Sequence, residues 1–283
     1  MKAEASTAAG AISQSEKKAL ARSRKYSYQW MKGVVLPAAV IAVWQVIAVW
    51  QVIASLGIVS ATVLPSPVVI LQTFQELLLS GELWGHLEIS LYRAAAGFLL
   101  GAGLGLVFGL LVGFSKRTEA YLDPSLQMLR TVPHLAVTPL FILWFGFDET
   151  SKILLIALGA FFPVYINTFL GIRSVDAKLF DVARVLEFNW YQQMAKLILP
   201  ASLPNILLGT RLSLGIAWLG LVVAELMGSS EGVGYMIMDA RQFSQTNKVF
   251  AGIIIFAAVG KLTDALVRML ERKLLKWRNS YEG

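Results

Sequence analysis

The residues of this chain that could do chemistry are few, and they stand in surroundings that disfavour them. Arg130, Arg211, Glu225, Lys261 and Asp264 fall within or at the ends of long apolar stretches, where a charge costs about 2.5–3.5 kcal/mol on insertion scales. A charge kept there needs a partner, water or a ligand. Arg211 lies about 10 Å along its stretch from Pro204, too deep for easy access to the headgroups. It is either a cationic station on an anion path or half of an interhelical contact. Glu225 stands close to Gly228 and the Gly232-Val233-Gly234 turn, where a gate or loop anchor suits it better than an anion contact. Arg130 and His134 bracket Pro133, and backbone unwound at that proline can line a cavity. For His134 the bland reading is a satisfied interhelical hydrogen bond. Lys261 and Asp264, three residues apart on one helical face, are expected to neutralise each other.

Bond-making chemistry has no comparable candidates. The chain lacks a G-x-x-x-x-G-K-[ST] phosphate loop, an H-E-x-x-H motif and acidic residues spaced for a di-metal site. Cysteine is absent and histidine occurs twice, which removes disulfides, thiolate catalysis and Cys-ligated metals. A non-catalytic chain with no cofactor or metal of its own is expected. Energy for any work must come from a partner or an ion gradient.

The elements that position these residues belong to a bilayer. An apolar content of 56%, a charged content of 15% and a mean hydropathy of +0.63 lie outside the range of soluble domains. A helix needs roughly 20 apolar residues to cross about 30 Å of hydrocarbon. Six such spans are expected, at 34–56, 92–114, 125–146, 152–172, 204–227 and 248–268. Pro133, Pro139 and Pro163 interrupt the third and fourth and are expected to kink them. The fold class is therefore an all-α polytopic membrane protein. A basic segment, 1–33, precedes a membrane domain, 34–278, and a short tail, 279–283, follows.

Basic residues set the orientation. Lys2, Lys17, Lys18, Arg22, Arg24, Lys25 and Lys32 precede the first span, whereas the stretch from Gly57 to Leu91 carries Glu76, Glu82 and Glu88 and no Lys or Arg. Alternation then puts both termini and the 173–203 loop in the cytoplasm. The net charge of +7 is a topological bias, and nucleic-acid binding explains it poorly. The apolar stretch after residue 33 is longer than a signal-peptide core, so retention is expected. A direct repeat, Val-Trp-Gln-Val-Ile-Ala at 43–48 and again at 49–54, turns the helix by roughly 600° per copy and reads as incidental lengthening. Leu64-Pro65-Ser66-Pro67 can cap a helix from Val68 to Leu79 lying along the outer surface. Gly97, Gly101, Gly105, Gly109 and Gly113 make a stripe of small residues for close helix packing, most simply within the same subunit.

One charged, amphipathic segment, Asp181 to Pro200, lies between two apolar spans in the cytoplasmic loop. Its aromatic residues Phe188, Trp190 and Tyr191 are potential anchors, and Asp181, Arg184 and Glu187 supply flanking charge. A short helix tethered on both sides to membrane helices can carry a partner's rigid-body motion into them.

Asp181, Ala183, this aromatic patch and the closing Leu199-Pro200 resemble the loop by which permeases of ATP-binding-cassette importers engage their ATPases. The likeness extends from about Val34 to Trp277. It rests on Leu64–Pro67, Ser90–Phe98, Arg130-Thr131-Val132-Pro133-His134-Leu135-Ala136, Leu143-Trp144-Phe145-Gly146, Phe162-Pro163-Val164-Tyr165-Ile166-Asn167, and Arg211 through Trp218 to Glu225. The chain is similar to type I importer permeases of the sulfonate, taurine and nitrate group, and most similar to those for aliphatic sulfonates. The resemblance implies a homodimer in the lipid of a bacterial cytoplasmic membrane, with two cytoplasmic ATPase subunits that bind ATP and Mg, and an extracytoplasmic solute-binding protein. It implies ATPase coupling through Asp181, Ala183, Arg184, Glu187, Phe188, Trp190, Leu199 and Pro200. It also implies a translocation path at Arg130, His134, Asn167, Arg211, Trp218 and Glu225. Glu187 departs from the family's glycine, whose backbone angle Glu resists, so a shifted turn or an altered ATPase contact is expected. A stand-alone secondary transporter would have no use for the cytoplasmic loop, and a sensor or scaffold would need a soluble domain. Taurine, nitrate or another small solute remain open as cargo.

Overall fold

The computed structural model describes residues 35, 37–49 and 63–275. The basic segment 1–33, most of the second repeat copy and the tail from 276 lie outside the described residues. The chain divides into two units, residues 1–72 and 73–283. The first holds α1, Pro37–Val49, which is the described part of the expected first span, and the start of α2, Pro67–Leu79. Pro67 opens α2, and the Ile70 amide donates to the Ser66 carbonyl at 3.1 Å.

The second unit continues through α3 (Glu82–Phe114), α4 (Lys116–Arg130), a 3-10 turn (His134–Val137), α5 (Thr138–Phe145) and α6 (Glu149–Arg173). Then come α7 (Ala177–Val185), α8 (Trp190–Gln193), a π turn (Met194–Ile198), α9 (Leu199–Leu226), α10 (Val233–Gln242) and α11 (Thr246–Leu274). Among the described residues four helical runs are long and apolar enough to cross a membrane: α3, α6, the run Trp190–Leu226 and α11. They contain the spans expected at 92–114, 152–172 and 248–268, and all of that at 204–227 except Met227, each within a longer helix.

The expected third span, 125–146, is not one helix. It divides into the end of α4 and all of α5, with a break where a kink was expected. The amides of Thr131 and Val132 fold back to the carbonyls of Met128 and Leu129 at 3.1 and 3.2 Å and close α4. Pro133 then offers no N–H and disfavours helical geometry at Val132. Pro163 behaves differently, because α6 runs through it without interruption. The Gly159 carbonyl thereby loses its usual helical donor.

α3, α6 and α9 form the core. The glycine stripe of α3 packs on α6 of the same chain: a Cβ on Gly97 would stand 2.6 Å from the Ile156 Cβ, and one on Gly109 would stand 2.6 Å from the Thr168 Cβ. Gly101 and Gly105 lie against the backbone of Ala157 and Phe161. Gly209 brings α9 equally close to α6, since its Cβ would come within 2.8 Å of the Pro163 carbonyl. Buried Ser213 adds a hydrogen bond from its Oγ to the Ala160 carbonyl, 2.6 Å. Close backbone approach with internally satisfied polar groups is what holds helices together where lipid removes the hydrophobic drive.

Candidate functional site

A cavity of about 620 Å³ opens between the end of α4, the 3-10 turn with α5, α6 and α9. Its walls are mainly apolar, with Phe141, Trp144 and Phe162 the largest side chains and Arg130 and Asn167 the polar ones. Asn167 turns its amide back to the Pro163 carbonyl at 2.8 Å. Arg130 is exposed at the C-terminal end of α4, and it has no ion pair or hydrogen bond among the described residues. His134 opens the 3-10 turn beside it in sequence. Gly159, whose carbonyl Pro163 leaves without its helical donor, is part of the same wall.

Arg211, Trp218 and Glu225 do not line this cavity. Arg211 Nε donates to Asp264 Oδ1 at 2.8 Å, tying α9 to α11. Asp264 also takes Arg268 Nη2 at 2.5 Å. The expected Lys261–Asp264 pair gives way to these two, because an acid placed four residues before a base on a helix is well oriented for pairing. Trp218 faces α11 as well, with its indole N–H 3.1 Å from the Phe256 carbonyl and its ring edge-on to Phe256.

Glu225 is the fully buried centre of an ionic cluster at the far end of α9. Its Oε1 accepts from Ser90 Oγ at 2.7 Å and Arg93 Nη1 at 2.9 Å, and its Oε2 accepts from the Gly234 amide at 2.8 Å. Arg93 is itself 1% exposed. It grips Glu149 with Nε and Nη2, each at 2.6 Å, and reaches the Glu231 carbonyl with Nη1, also at 2.6 Å. Lys152 Nζ adds a contact to Glu149 at 3.0 Å. Ser90 Oγ receives the Val233 amide at 2.9 Å, and His86 Nδ1 receives the Gly232 amide at 3.1 Å. The turn between α9 and α10 is therefore pinned to α3 and α6. Gly232 has φ +113, and a Cβ there would meet Glu225 and Arg93. Arg93, Glu149 and His86 were not singled out in the sequence. Arg93 could have been, as an ionisable residue inside the apolar span at 92–114.

At the other end, α7 carries Asp181 and Arg184, paired at 3.3 Å with side chains 71% and 78% exposed. Ala183 is completely buried. Glu187 has φ 51, the left-handed geometry that glycine adopts freely. Its amide donates to the Arg184 carbonyl at 3.0 Å and the Phe188 amide to the Ala183 carbonyl at 2.9 Å, which is the Schellman helix stop. Glu187 thus adopts here the left-handed conformation that glycine favours. Asn189 then caps α8, accepting from the Gln192 amide at 2.9 Å while Gln192 Oε1 accepts from the Asn189 amide at 3.0 Å. That capping box is legible as Asn-x-x-Gln and was missed. Trp190 and Tyr191, 58% and 76% exposed, stack edge-on at 5.0 Å, and Lys196 Nζ lies 5.5 Å from the centre of the Phe188 ring. From Trp190 the helix runs unbroken through Leu199 and Pro200 to Leu226. The Leu199 amide bonds five residues back to the Met194 carbonyl, forming the π turn.

An all-helical membrane chain whose core helices wall an open cavity, and whose polar arm runs directly into one of them, has the form of a transporter membrane subunit. The solved structure of an amino acid ABC transporter with histidines shares the fold, with a TM-score of 0.57 at 21% identity over 71% of this chain and 98% of that one. Residues 101–276 match the family described as binding-protein-dependent transport system inner membrane component, and the chain belongs to that family. It is 77% identical, over the full length of both, to a protein of Bacillus subtilis (strain 168) named for aliphatic sulfonates transport as a permease. A protein of Escherichia coli (strain K12) with the same description is 48% identical over 87% of this chain and 91% of that one.

Proposed function

We propose that the chain is the membrane-spanning permease subunit of an ATP-binding-cassette importer that moves aliphatic sulfonates across the bacterial cytoplasmic membrane. Two copies would form the path and rest on two cytoplasmic ATPase subunits, which bind ATP and Mg. An extracytoplasmic solute-binding protein would deliver the cargo, and lipid would surround the six spans, with both termini in the cytoplasm. The observation that carries the machine is the unbroken helix from Trp190 to Leu226. It joins exposed aromatic residues on the cytoplasmic arm to α9, whose Leu212 and Ile216 are in the cavity wall, so displacement of the arm by an ATPase moves the wall itself. The cargo reading comes from the two relatives named for aliphatic sulfonates. In this arrangement Asp181, Arg184, Glu187, Phe188, Trp190, Leu199 and Pro200 serve the ATPase contact, and buried Ala183 packs behind it. Arg130, His134 and Asn167 lie along the path, Arg211 and Trp218 set α9 against α11, and Glu225 anchors the outer turn.

The test is uptake of labelled alkanesulfonate, taurine and nitrate, side by side, in cells supplied with this permease, its ATPase and its binding protein. ATP-dependent accumulation of alkanesulfonate alone is the expected result. Accumulation of taurine or nitrate instead would keep the machine and change the cargo, whereas no uptake by an assembled complex would overturn the reading.

A further inference from the structure

We propose that the cavity beside α5 and α6 is a substrate site within the permease itself, built for an anion with an apolar tail. The proposal rests on the reading of the chain as a sulfonate permease and adds a second point of selection, beyond whatever a binding protein supplies. Phe141, Trp144, Phe162, Leu212 and Ile216 give the cavity an apolar wall drawn from three helices. Arg130 is the only charged residue lining it among the described residues, and no carboxylate or carbonyl there holds its guanidinium. Among the described residues, Arg93 is committed to Glu149 and Glu225, Arg211 to Asp264 and Arg184 to Asp181. A free fork of N–H donors beside an apolar wall suits a compact oxyanion head, which can accept two of them at once.

The rest of the wall points the same way. Asn167 gives one amide N–H to the Pro163 carbonyl. The charge of Arg130 places the head at the end of α4, and the tail lies along the aromatic residues. Inorganic anions lack the tail and uncharged hydrocarbons lack the head, so neither matches both halves. A cavity of about 620 Å³ is of the size that holds small organic ligands.

The experiment uses the complete complex of permease and ATPases in lipid nanodiscs, without the binding protein, and measures equilibrium binding of methane-, butane- and hexanesulfonate. A fully buried methylene is worth about fourfold in affinity. For a wall open on one side, a gain of about twofold per methylene is expected. Arg130→Gln is expected to weaken all three ligands by about tenfold, the loss of a charge-assisted hydrogen bond, while the gain per methylene persists. Hexanol, with the tail and no charge, should compete poorly. Affinity independent of chain length, or Arg130→Gln without effect, overturns the proposal. A second copy of the chain is the rival occupant. Because the chain has no cysteine, Leu212→Cys gives a single reporter, and hexanesulfonate should protect it from a thiol reagent. A spontaneous disulfide between two copies at that position, with no protection, would mean that the cavity is an interface. Normal alkanesulfonate uptake without permease binding sinks this proposal and leaves the importer reading standing. Binding without ATP-driven uptake does the reverse.

Discussion

The two ends of α9 are held in opposite ways. At Glu225 the side chain is buried and bound to groups from α3 and from the start of α10, more than a hundred residues away in one case and nine in the other. At the arm that leads into Leu199, the contacts are almost all between near neighbours: Asp181 with Arg184, Asn189 with Gln192, Gln193 with the Phe188 carbonyl. One end is defined by the rest of the fold and the other defines itself. A locally specified arm keeps its shape while it is displaced, and a cluster shared by four helices resists displacement. In the proposed importer, this difference would make the Glu225 end the fulcrum and the arm the moving end.

The comparison is broken most severely at the fulcrum. Glu225→Ala strips Arg93 of a buried partner and orphans the Gly234 amide, and is expected to destabilise the complex by about 3–5 kcal/mol. The thermal unfolding midpoint in nanodiscs would report it, and an unchanged midpoint would mean that the cluster fixes nothing. Trp190→Ala acts at the other end and should leave that midpoint alone. If the exposed indole is a central anchor for the ATPase, its loss costs about 2 kcal/mol of binding, or roughly thirtyfold in the dissociation constant of the ATPase. Full-strength ATPase co-purification at limiting concentration would remove Trp190 from the contact.

Smaller changes sharpen the contrast. Asn189→Ala deletes one half of the capping box, for about 1 kcal/mol. The loss should appear as faster amide exchange confined to α8, since the arm's stability is local. Glu187→Gly goes the other way. Relief of left-handed geometry is worth about 1–2 kcal/mol and glycine's added entropy takes back about 0.5–1 kcal/mol. Slower exchange at the Phe188 amide with unchanged ATPase co-purification is expected, and a large loss of co-purification would reveal a direct contact by the Glu187 carboxylate.

What the sequence made legible follows the same division. Features encoded over three to five residues could be read: the long apolar helices, the stripe from Gly97 to Gly113, and the amphipathic arm with its aromatic residues. Features that depend on residues far apart could not. Arg93 and Glu149 are 56 positions apart and Arg93 and Glu225 are 132 apart, so nothing local announces their union. Spacing even misled at Lys261 and Asp264, where Arg211 from another helix took the carboxylate. Pro133 and Pro163 look alike as interruptions, yet one breaks its helix and the other is carried through. At Pro163 the helix is clamped by α3 on one side and by Gly209 and Ser213 of α9 on the other, yet clamping is not required, because α4 carries Pro124 without a break and buries no residue.

The π turn at Met194–Ile198 gives the arm a counting rule. A wide turn accommodates one residue more than an α-helix would, and one residue corresponds to about 100° of rotation and 1.5 Å of rise. Were the same residues wound as regular α-helix instead, Trp190 and Tyr191 would stand about a quarter of a circle away relative to α9. The distance from the aromatic pair to Pro200, counted in residues, is thus an angular setting. Chimeras that graft arms between such permeases must preserve that count before they preserve any particular side chain.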